Sequence, residues 1–382
     1  MQKNHVKLND QKVSSVRSKL LSKEISKIMP IASLIGRDSN SVIQLKEETN
    51  KESGDAVIFN LRGYLRHNGE NDSDRIKDNE EYLYFISDRV AIDELSHAVR
   101  VQSDGTVNQY TIRDLRSEVE NALVDRHADR LTTMFFFHVC GYTANYIDIG
   151  HEKIMLKPVH YGFNRPTPPT DKRIIRPNGK TADGDLDKND IFDLELIDKA
   201  VDRAKLENPK IKPVRVGREN LYVLYMYPTQ VVQLRNSTEK ERWIEITKAQ
   251  YHGNRVKHPL LDGAIGIYNG VILHETECVT AGIQLGEDDG GTPVQNVRRA
   301  VLLGAQSAIM AVGKNRGEAD YQLVERVFDH DREFEAVAKI IIGMKKTRFS
   351  IFPKYVQDVM SMSETSKQDF GTIVLPTWAE TI

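Results

Sequence analysis

A run of four residues, Asn178-Gly179-Lys180-Thr181, has the residue types that end a phosphate-binding loop. In such a loop the lysine and the hydroxyl contact phosphate and magnesium. The full pattern also requires a glycine five residues before Gly179, where this sequence has Ile174, and an apolar strand before the loop, which is missing. We therefore interpret the run as a surface turn.

Three aspartates follow at the alternate spacing of a calcium-binding loop: Asp183, Asp185 and Asp187. The sixth position of that loop should be glycine, and the twelfth should be a glutamate that binds through both oxygens. Here these positions are Lys188 and Leu194. The sequence therefore favours a solvated acidic loop over a metal site.

His274 and Cys278 are close enough in sequence to suggest a Cys–His nucleophile pair. A third group to orient the histidine is not evident, so we interpret Cys278 as a buried structural cysteine. The remaining histidines are scattered, and His151-Glu152 has no second histidine at the spacing of a zinc helix. With Cys140, the chain has two cysteines, which suits a reducing compartment.

Lys345 and Lys346 adjoin on a predicted strand, and two interpretations stay open for them. They form either an exposed strand face or a contact with another subunit or with DNA, because charges at a strand edge also discourage wrong pairing. No dinucleotide fingerprint or G-x-S-x-G elbow occurs in the sequence. The chemistry-bearing residues therefore do not predict an enzyme.

The composition is that of an ordinary globular protein, with 382 residues, 40% hydrophobic and 28% charged. Lysine and arginine number 53 against 55 acidic residues, a net charge of −2, whereas a dedicated nucleic-acid binder is normally basic. The polar, basic start of the chain does not resemble a signal peptide. No apolar run approaches the roughly 20 residues that span a bilayer. We expect neither secretion nor membrane insertion.

The first segment differs in charge from the rest of the chain. From Met1 to Pro30, seven lysines and arginines oppose two acids, and apolar residues follow a loose helical spacing that Pro30 ends. Two interpretations stay open. The segment is a partly ordered, solvated terminus, or it is an arm that packs on a neighbouring subunit or contacts a polyanion such as packaged DNA.

Two alternating runs, 54–65 and 81–93, read as strands joined by the polar segment 66–80. They predict an extended hairpin with a connection longer than the usual 2–5 residues. Since such a hairpin has little to bury by itself, we expect another chain to cover it. From Thr111 a helical stripe continues to Gly141, which predicts a helix about 45 Å long.

The second half alternates short elements. Five prolines interrupt 142–190, which we interpret as a long connection or insertion. Asn269-Gly270 predicts a tight hairpin turn within 266–275. The residues 299–313 predict a strand that passes into a buried helix. The other predicted elements are a helix at 191–205, a strand at 221–226, a helix from Pro228, and strands at 321–328, 337–349 and 370–376.

Five segments in fixed order carry a resemblance to a known family: NLYVLYMYPTQVVQLR (220–235), PLLDGAIGIYNGVILHETECV (259–279), RAVLLGAQSAIMAVG (299–313), IIIGMKKTRF (340–349) and DFGTIVLP (369–376). With GDAVIFNLRGYL (54–65), residues 78–81 and the helix from Thr111, the chain resembles the tailed-bacteriophage major capsid proteins of the N-four-like family. The resemblance is weakest over 142–190.

This resemblance implies an α+β architecture, the Hong Kong 97-type coat fold. In that fold the chain would divide into an N-terminal arm (1–54), an extension-loop hairpin (55–110), a peripheral domain with a long spine helix (111–141 plus 321–382), and an axial domain (142–320) with an insertion near 142–190. The small residues Gly304, Ala305 and Ala308 would permit close backbone packing.

The resemblance also implies self-assembly as pentamers and hexamers into an icosahedral head around double-stranded DNA. The expected partners are further copies, a portal protein, a decoration protein and packaged DNA through weak non-specific contacts, with no membrane. A fused scaffold would need a longer helical N-terminus, so we expect a separate scaffold protein. We expect assembly in the host cytoplasm, no catalytic, cofactor-binding or metal-binding residue, and no cross-link at Lys77 in the hairpin tip.

Two alternatives stay open. A cellular nanocompartment shell of the same fold would enclose an enzyme cargo instead of DNA. A cytosolic nucleotide-binding hydrolase would use Lys180 and the cluster Asp183–Asp187. The contents of the particle distinguish a nanocompartment from a phage head. Stabilisation of the protein by nucleotide would indicate the hydrolase.

Overall fold

The computed structural model describes residues 11–48, 53–62, 85–102, 112–149, 152–207, 209–253, 258–286, 290–313, 321–328, 333–350 and 367–380. Its helices are α1 (Gln11–Ile28), α2 (Ile112–Val139), α3 (Leu194–Leu206), α4 (Pro228–Ser237) and α5 (Lys240–Gly253). Short 3₁₀ turns connect several of the strands.

Strands make up much of the remaining described chain. They are β1 (Ile35–Gly36), β2 (Ile43–Glu48), β3 (Ala56–Arg62), β4 (Phe85–Ala91), β5 (Asp93–Gln102), β6 (Tyr146–Ile149), β7 (Glu152–Met155), β8 (Val214–Val216), β9 (Glu219–Met226), β10 (Gly266–Tyr268), β11 (Val271–Glu275), β12 (Ala281–Gln284), β13 (Thr292–Leu303), β14 (Ala308–Gly313), β15 (Tyr321–Phe328), β16 (Glu333–Lys346), β17 (Arg348–Ser350), β18 (Lys367–Asp369) and β19 (Thr372–Trp378). The predicted α+β class is confirmed.

Two mixed sheets organise the described chain. The first has the order β1-β2-β14-β16-β15, with β5 also pairing with β16. The second has the order β10-β11-β9-β13-β12, with β19 beside β13 and β8 beside β9. Two strands do not follow the expected domain division. β14 comes from the expected axial domain but lies in the first sheet, and β19 comes from the expected peripheral domain but lies in the second sheet.

The long helix predicted from Thr111 is confirmed as α2, which is about 42 Å long at 1.5 Å per residue. Its apolar residues recur every three to four positions, and Leu123, Leu131 and Phe135 are buried in the main core beside the first sheet. The helix ends before Gly141, whose φ of 67° suits glycine. A Cβ at Gly141 would lie 2.6 Å from Pro169 Cδ, so the close approach also requires glycine.

The predicted hairpin at Asn269-Gly270 is confirmed. β10 and β11 pair antiparallel, and both turn residues have positive φ, 46° and 74°. The prediction of a helix within 299–313 is wrong, because β13 and β14 are two strands joined by a short turn. Small apolar residues favour a helix locally, but β14 lies between β2 and β16 and takes up their ladder hydrogen bonds.

Gly304 in that turn shows why small residues are needed there. A Cβ on it would lie 2.6 Å from the carbonyl oxygen of Lys212. Ala305 and Ala308, next along the chain, are fully buried. The close packing that we expected from these residues therefore occurs within the subunit.

The N-terminal segment packs on its own chain over residues 16–48. α1 buries Leu21 and Ile25 in the main core, to which α2 and strands of both sheets also contribute side chains. Arg17 forms ion pairs with Glu120 of α2 and Glu325 of β15. The next strand, β2, pairs in parallel with β14. Residues 16–48 are therefore an integral part of their own chain and not a solvated terminus. The interpretation of the segment as an arm that contacts a neighbouring subunit or packaged DNA stays a prediction.

Candidate assembly surface

The predicted extended hairpin is confirmed over its base. β3 and β4 pair antiparallel from Ala56 opposite Ala91 to Arg62 opposite Phe85. Residues 63–84, which include the predicted tip and Lys77, lie outside the described residues. The structure therefore describes the base of the hairpin, and the predictions for its tip stay predictions.

The apolar face of this base is buried on its own chain. Val57, Phe59 and Leu61 are at most 2% exposed. They form a separate core with Val90, Ile92, Ile309, Ala311, Ile341, Phe349 and Phe370. The expectation that this face is buried only in an assembled shell is thus wrong for the base. Burying one such side chain contributes about 1.5–3 kcal/mol, so the root of the hairpin is firmly held.

Polar contacts add a second attachment at the end of β4. The Lys345 ammonium lies 2.8 Å from a carboxylate oxygen of Asp88. The Asn164 amide donates to the carbonyl oxygens of Ala91 and Met344, both at 3.0 Å, and its Oδ1 accepts from the Ala91 amide at 3.0 Å. Asn164 therefore bridges the hairpin to β16.

Lys346 points to the opposite side of β16 and is 1% exposed. Its Nζ lies 3.0 Å from Asp369 Oδ2 and donates to the Thr167 carbonyl at 3.2 Å. Arg348 Nε lies 3.3 Å from the other oxygen of Asp369. Burial lowers the pKa of Lys346, and Asp369 opposes that shift. The interpretation as an exposed strand face is therefore wrong for Lys346, and Lys345 is partly buried. A contact of Lys345 with another subunit or with DNA stays a prediction.

The three aspartates of the supposed calcium loop have separate roles. Asp183 is buried and accepts from Arg299 Nε at 2.7 Å, Arg176 Nε at 2.8 Å and the Ile283 amide at 3.0 Å. Burial acts to raise the pKa of Asp183, but Arg299 and Arg176 bring it below its usual value. The prediction of a solvated acidic loop is therefore wrong for Asp183 and right for the exposed Asp185 and Asp187.

Arg299 connects this ion pair to the long helix. Its Nη1 donates to the carbonyl oxygens of Cys140, at 3.1 Å, and Gly141, at 2.8 Å. The Cys140 thiol in turn donates to the Arg299 carbonyl at 3.4 Å. Arg299 lies on β13, so one buried guanidinium ties the end of α2 to the second sheet and to Asp183.

The run Asn178 to Thr181 is a turn, as predicted, and begins with the 3₁₀ turn Pro177–Gly179. Lys180 Nζ lies 3.5 Å from Asp187 Oδ2 and 4.0 Å from Asp190 Oδ2. Two carboxylates beside the ammonium disfavour a phosphate there. The nucleotide-binding alternative thus lacks a phosphate cradle at this turn.

The His274 and Cys278 side chains have different partners. His274 Nε2 bonds to the Leu260 carbonyl oxygen at 3.0 Å, and the ring stacks on Tyr225 with centroids 5.1 Å apart. Burial lowers the pKa of His274 and raises the pKa of the Cys278 thiol. A neutral, bonded imidazole and a protonated thiol do not form a nucleophile pair. Cys278 is partly buried, so the prediction of a buried cysteine holds only in part.

Sequence reasoning missed the residues that fix the surface: Asn164, Asp88, Asp183 as an ion-pair partner, and Arg299. Asn164, Asp88 and Arg299 lie in no local motif, and Asp183 lies in one that suggested a different role, so only their buried partners identify them. Within the described ranges, no group of three or more His, Cys, Asp or Glu is placed to hold a metal ion. No helix in that part of the chain is long and apolar enough to cross a membrane.

A long helix beside a mixed sheet, a second sheet, and a hairpin whose base is anchored on the subunit define a shell-forming coat subunit of the Hong Kong 97 type. The buried ion pairs described above serve this architecture by joining its strands. The chain belongs to the phage capsid protein family, whose sequence pattern matches residues 5–380. It is a major capsid protein, a building block of the phage head shell.

Solved structures agree with this assignment. The capsid of Ralstonia phage GP4 is 28% identical, with a TM-score of 0.74 over 91% of this chain and 90% of that one. The capsid of cyanophage Pam1 has a TM-score of 0.59 at 17% identity over 91% and 92% of the two chains. The capsid of Helicobacter pylori bacteriophage KHP30 has a TM-score of 0.58 at 15% identity over 92% and 91%. No curated protein matches this sequence.

Proposed function

We propose that this capsid protein assembles as pentamers and hexamers into a closed icosahedral head that encloses double-stranded phage DNA, and that it has no catalytic activity. The observation that carries the proposal is the likeness to the Ralstonia phage GP4 capsid at 28% identity across nine-tenths of both chains. Family members of this kind act by repeated weak contacts, because every subunit of a shell touches several others.

The anchored hairpin supports the proposal. Its apolar face is committed to the subunit, whereas its outer face carries Ile58, 66% exposed. A strand pair with one face fixed and the other at the surface can meet a neighbour without unfolding. We therefore propose that 55–110 acts as the extension loop, that 111–141 plus 321–382 forms the peripheral domain, and that 142–320 forms the axial domain. Two strands cross this division in the sheet order, since β14 lies in the first sheet and β19 in the second.

We also propose a separate scaffold protein, a portal protein at one vertex, a decoration protein, and weak non-specific contact with packaged DNA. The net charge of −2 supports weak contact with DNA, because tight binding requires an excess of basic residues. Assembly would take place in the host cytoplasm, and two cysteines without a disulfide are compatible with a reducing compartment.

Electron microscopy of purified particles, preceded by size-exclusion chromatography with light scattering, tests the proposal. Closed shells, or pentamers and hexamers that close when the scaffold protein is added, would support it. A monomer or dimer under all conditions, with and without scaffold, would contradict it. DNA inside the closed particles separates a phage head from a nanocompartment, whose shells would contain protein cargo. A nucleotide and divalent-metal thermal-shift screen tests the hydrolase, which requires a ligand-dependent rise in melting temperature.

A further inference from the structure

The outward faces of α1 and α2 carry stripes with the same residue spacing. Each stripe follows intervals of four, three and four residues. This spacing keeps four side chains within an arc of about 60° on an α-helix, and it is the spacing with which helices pair in coiled coils. The α1 stripe is Val16, Leu20, Lys23 and Lys27, and the α2 stripe is Glu118, Ala122, Asp125 and Asp129.

The α1 stripe is exposed although the other face of the helix is well buried. Val16 is 57% and Leu20 is 55% exposed, whereas Leu21 and Ile25 are at most 4% exposed. Among the described residues, Lys27 pairs with Glu24, one turn back along its own helix. Exposing large apolar side chains to water is unfavourable in free energy. A row of them in line with lysines indicates a surface that another helix covers.

The α2 stripe has complementary chemistry. Its four residues are all exposed, and three of them are acidic. Asp129 is 59% exposed and pairs within its own helix with Arg126 at 3.4 Å, a contact that contributes little in water. Ala122 leaves a shallow gap in the stripe, into which a larger side chain of a second helix can fit.

A parallel alignment of the two stripes matches them at three of the four positions and leaves Val16 opposite Glu118. Leu20 then lies opposite Ala122, Lys23 opposite Asp125, and Lys27 opposite Asp129. An antiparallel alignment keeps the spacing but places Leu20 opposite Asp125 and Lys23 opposite Ala122. Charge and size therefore select the parallel arrangement.

We propose that α1 of one subunit packs in parallel against the outward face of α2 of a second copy. The occupant is another copy because the two helices of one chain already contact each other through other residues, Arg17 with Glu120 among them. The contact is heterologous, so each copy offers a free α1 stripe and a free α2 stripe to further neighbours. The proposal rests on the head-shell function and names one of the surfaces by which copies meet.

Charge exchange tests the contact. One variant carries Lys23→Glu and Lys27→Glu, a second carries Asp125→Lys and Asp129→Lys, and a third combines all four substitutions. Each replaces the wild-type coat gene in infected cells, and closed heads are counted by gradient sedimentation and electron microscopy. Turning two attractive pairs into two repulsive ones should lower the yield at least about tenfold in the first two variants. The third restores attraction at every contact, so its yield should return toward that of the wild type.

Two controls separate the contact from general effects. Asp202→Lys with Lys205→Glu reverses two exposed charges on α3, and it should leave the yield unchanged. Circular dichroism of each purified subunit tests whether the variant is folded and melts like the wild type.

Normal yield from either two-substitution variant would overturn the proposal. A folded four-substitution variant that assembles no better than the other two would also overturn it. Normal shells with a reduced DNA content, seen for the lysine variant only, would assign the lysines to packaged DNA instead. Failure of the wild-type chain to form shells would contradict the proposed function and is distinguishable from all of these results.

Discussion

Asp183→Asn tests the buried ion-pair cluster that joins α2 to the second sheet. The substitution keeps the size of the side chain and removes its charge. It leaves Arg299, 3% exposed, and Arg176, 16% exposed, without the carboxylate between them. Removing one partner of a buried pair costs about 3–5 kcal/mol, because the remaining charge stays buried without compensation.

The unfolding entropy at the melting temperature is about 2.1 cal/mol/K per residue, or about 0.8 kcal/mol/K for 382 residues, so such a loss lowers the melting temperature by about 4–6 °C. Urea denaturation and calorimetry of the unassembled subunit measure both quantities. Asp187→Asn is the matched control, since Asp187 is 54% exposed and lies 3.5 Å from Lys180. We expect it to change the free energy of unfolding by less than about 0.5 kcal/mol.

A double variant sharpens the test. Asp183→Asn combined with Arg299→Met should cost less than the sum of the two single substitutions, with a coupling of about 0.5–3 kcal/mol. Calcium should leave the melting temperature of the wild type unchanged. Equal effects of Asp183→Asn and Asp187→Asn, or stabilisation by calcium that either variant abolishes, would refute the assignment of Asp183 as a buried ion-pair partner.

Three further perturbations address other parts of the subunit. Burial lowers the pKa of His138 to about 4. Since an unfolded histidine titrates near 6.5, the free energy of unfolding should fall by about 2–3 kcal/mol as the pH drops from 7 to 4.5. The urea midpoints of the wild type and of His138→Gln should therefore converge at low pH. A constant difference between the two midpoints across this pH range would argue against a lowered pKa of His138. Lys345→Met should leave the Asp88 carboxylate without its ammonium partner and destabilise the hairpin base by about 1–3 kcal/mol, measured by hydrogen exchange of the β4 amides. Lys339→Met is the control, because its partner Glu94 is 38% exposed whereas Asp88 is 6% exposed. Deleting 66–78 should leave a folded subunit that assembles poorly, and normal shells from that deletion would show that the hairpin does not join subunits.

Local pattern alone predicted many of the elements. Three patterns depend only on residues close together in the sequence, and the structure agrees with each of them. They are the alternation of 321–328 in β15, the apolar periodicity from Thr111 in α2, and the Asn-Gly pair in the β10–β11 turn. The prediction failed at 299–313, where small apolar residues suit either a helix or a strand. Pairing with β2, more than 250 residues earlier in the chain, selects the strand.

The sequence by itself determined the class of protein, through ordered segments and through element types set by short-range periodicity. Only the tertiary structure decided the environment of each polar residue. Asp183 and Arg299 are 116 positions apart, and Asp88 and Lys345 are 257 apart. A charged residue carries no local sign of burial, because burial is stable only where a distant partner compensates the charge. For the same reason the apolar face of the hairpin resembled an interface in sequence, although Ile309 and Ile341 of the same chain cover its base.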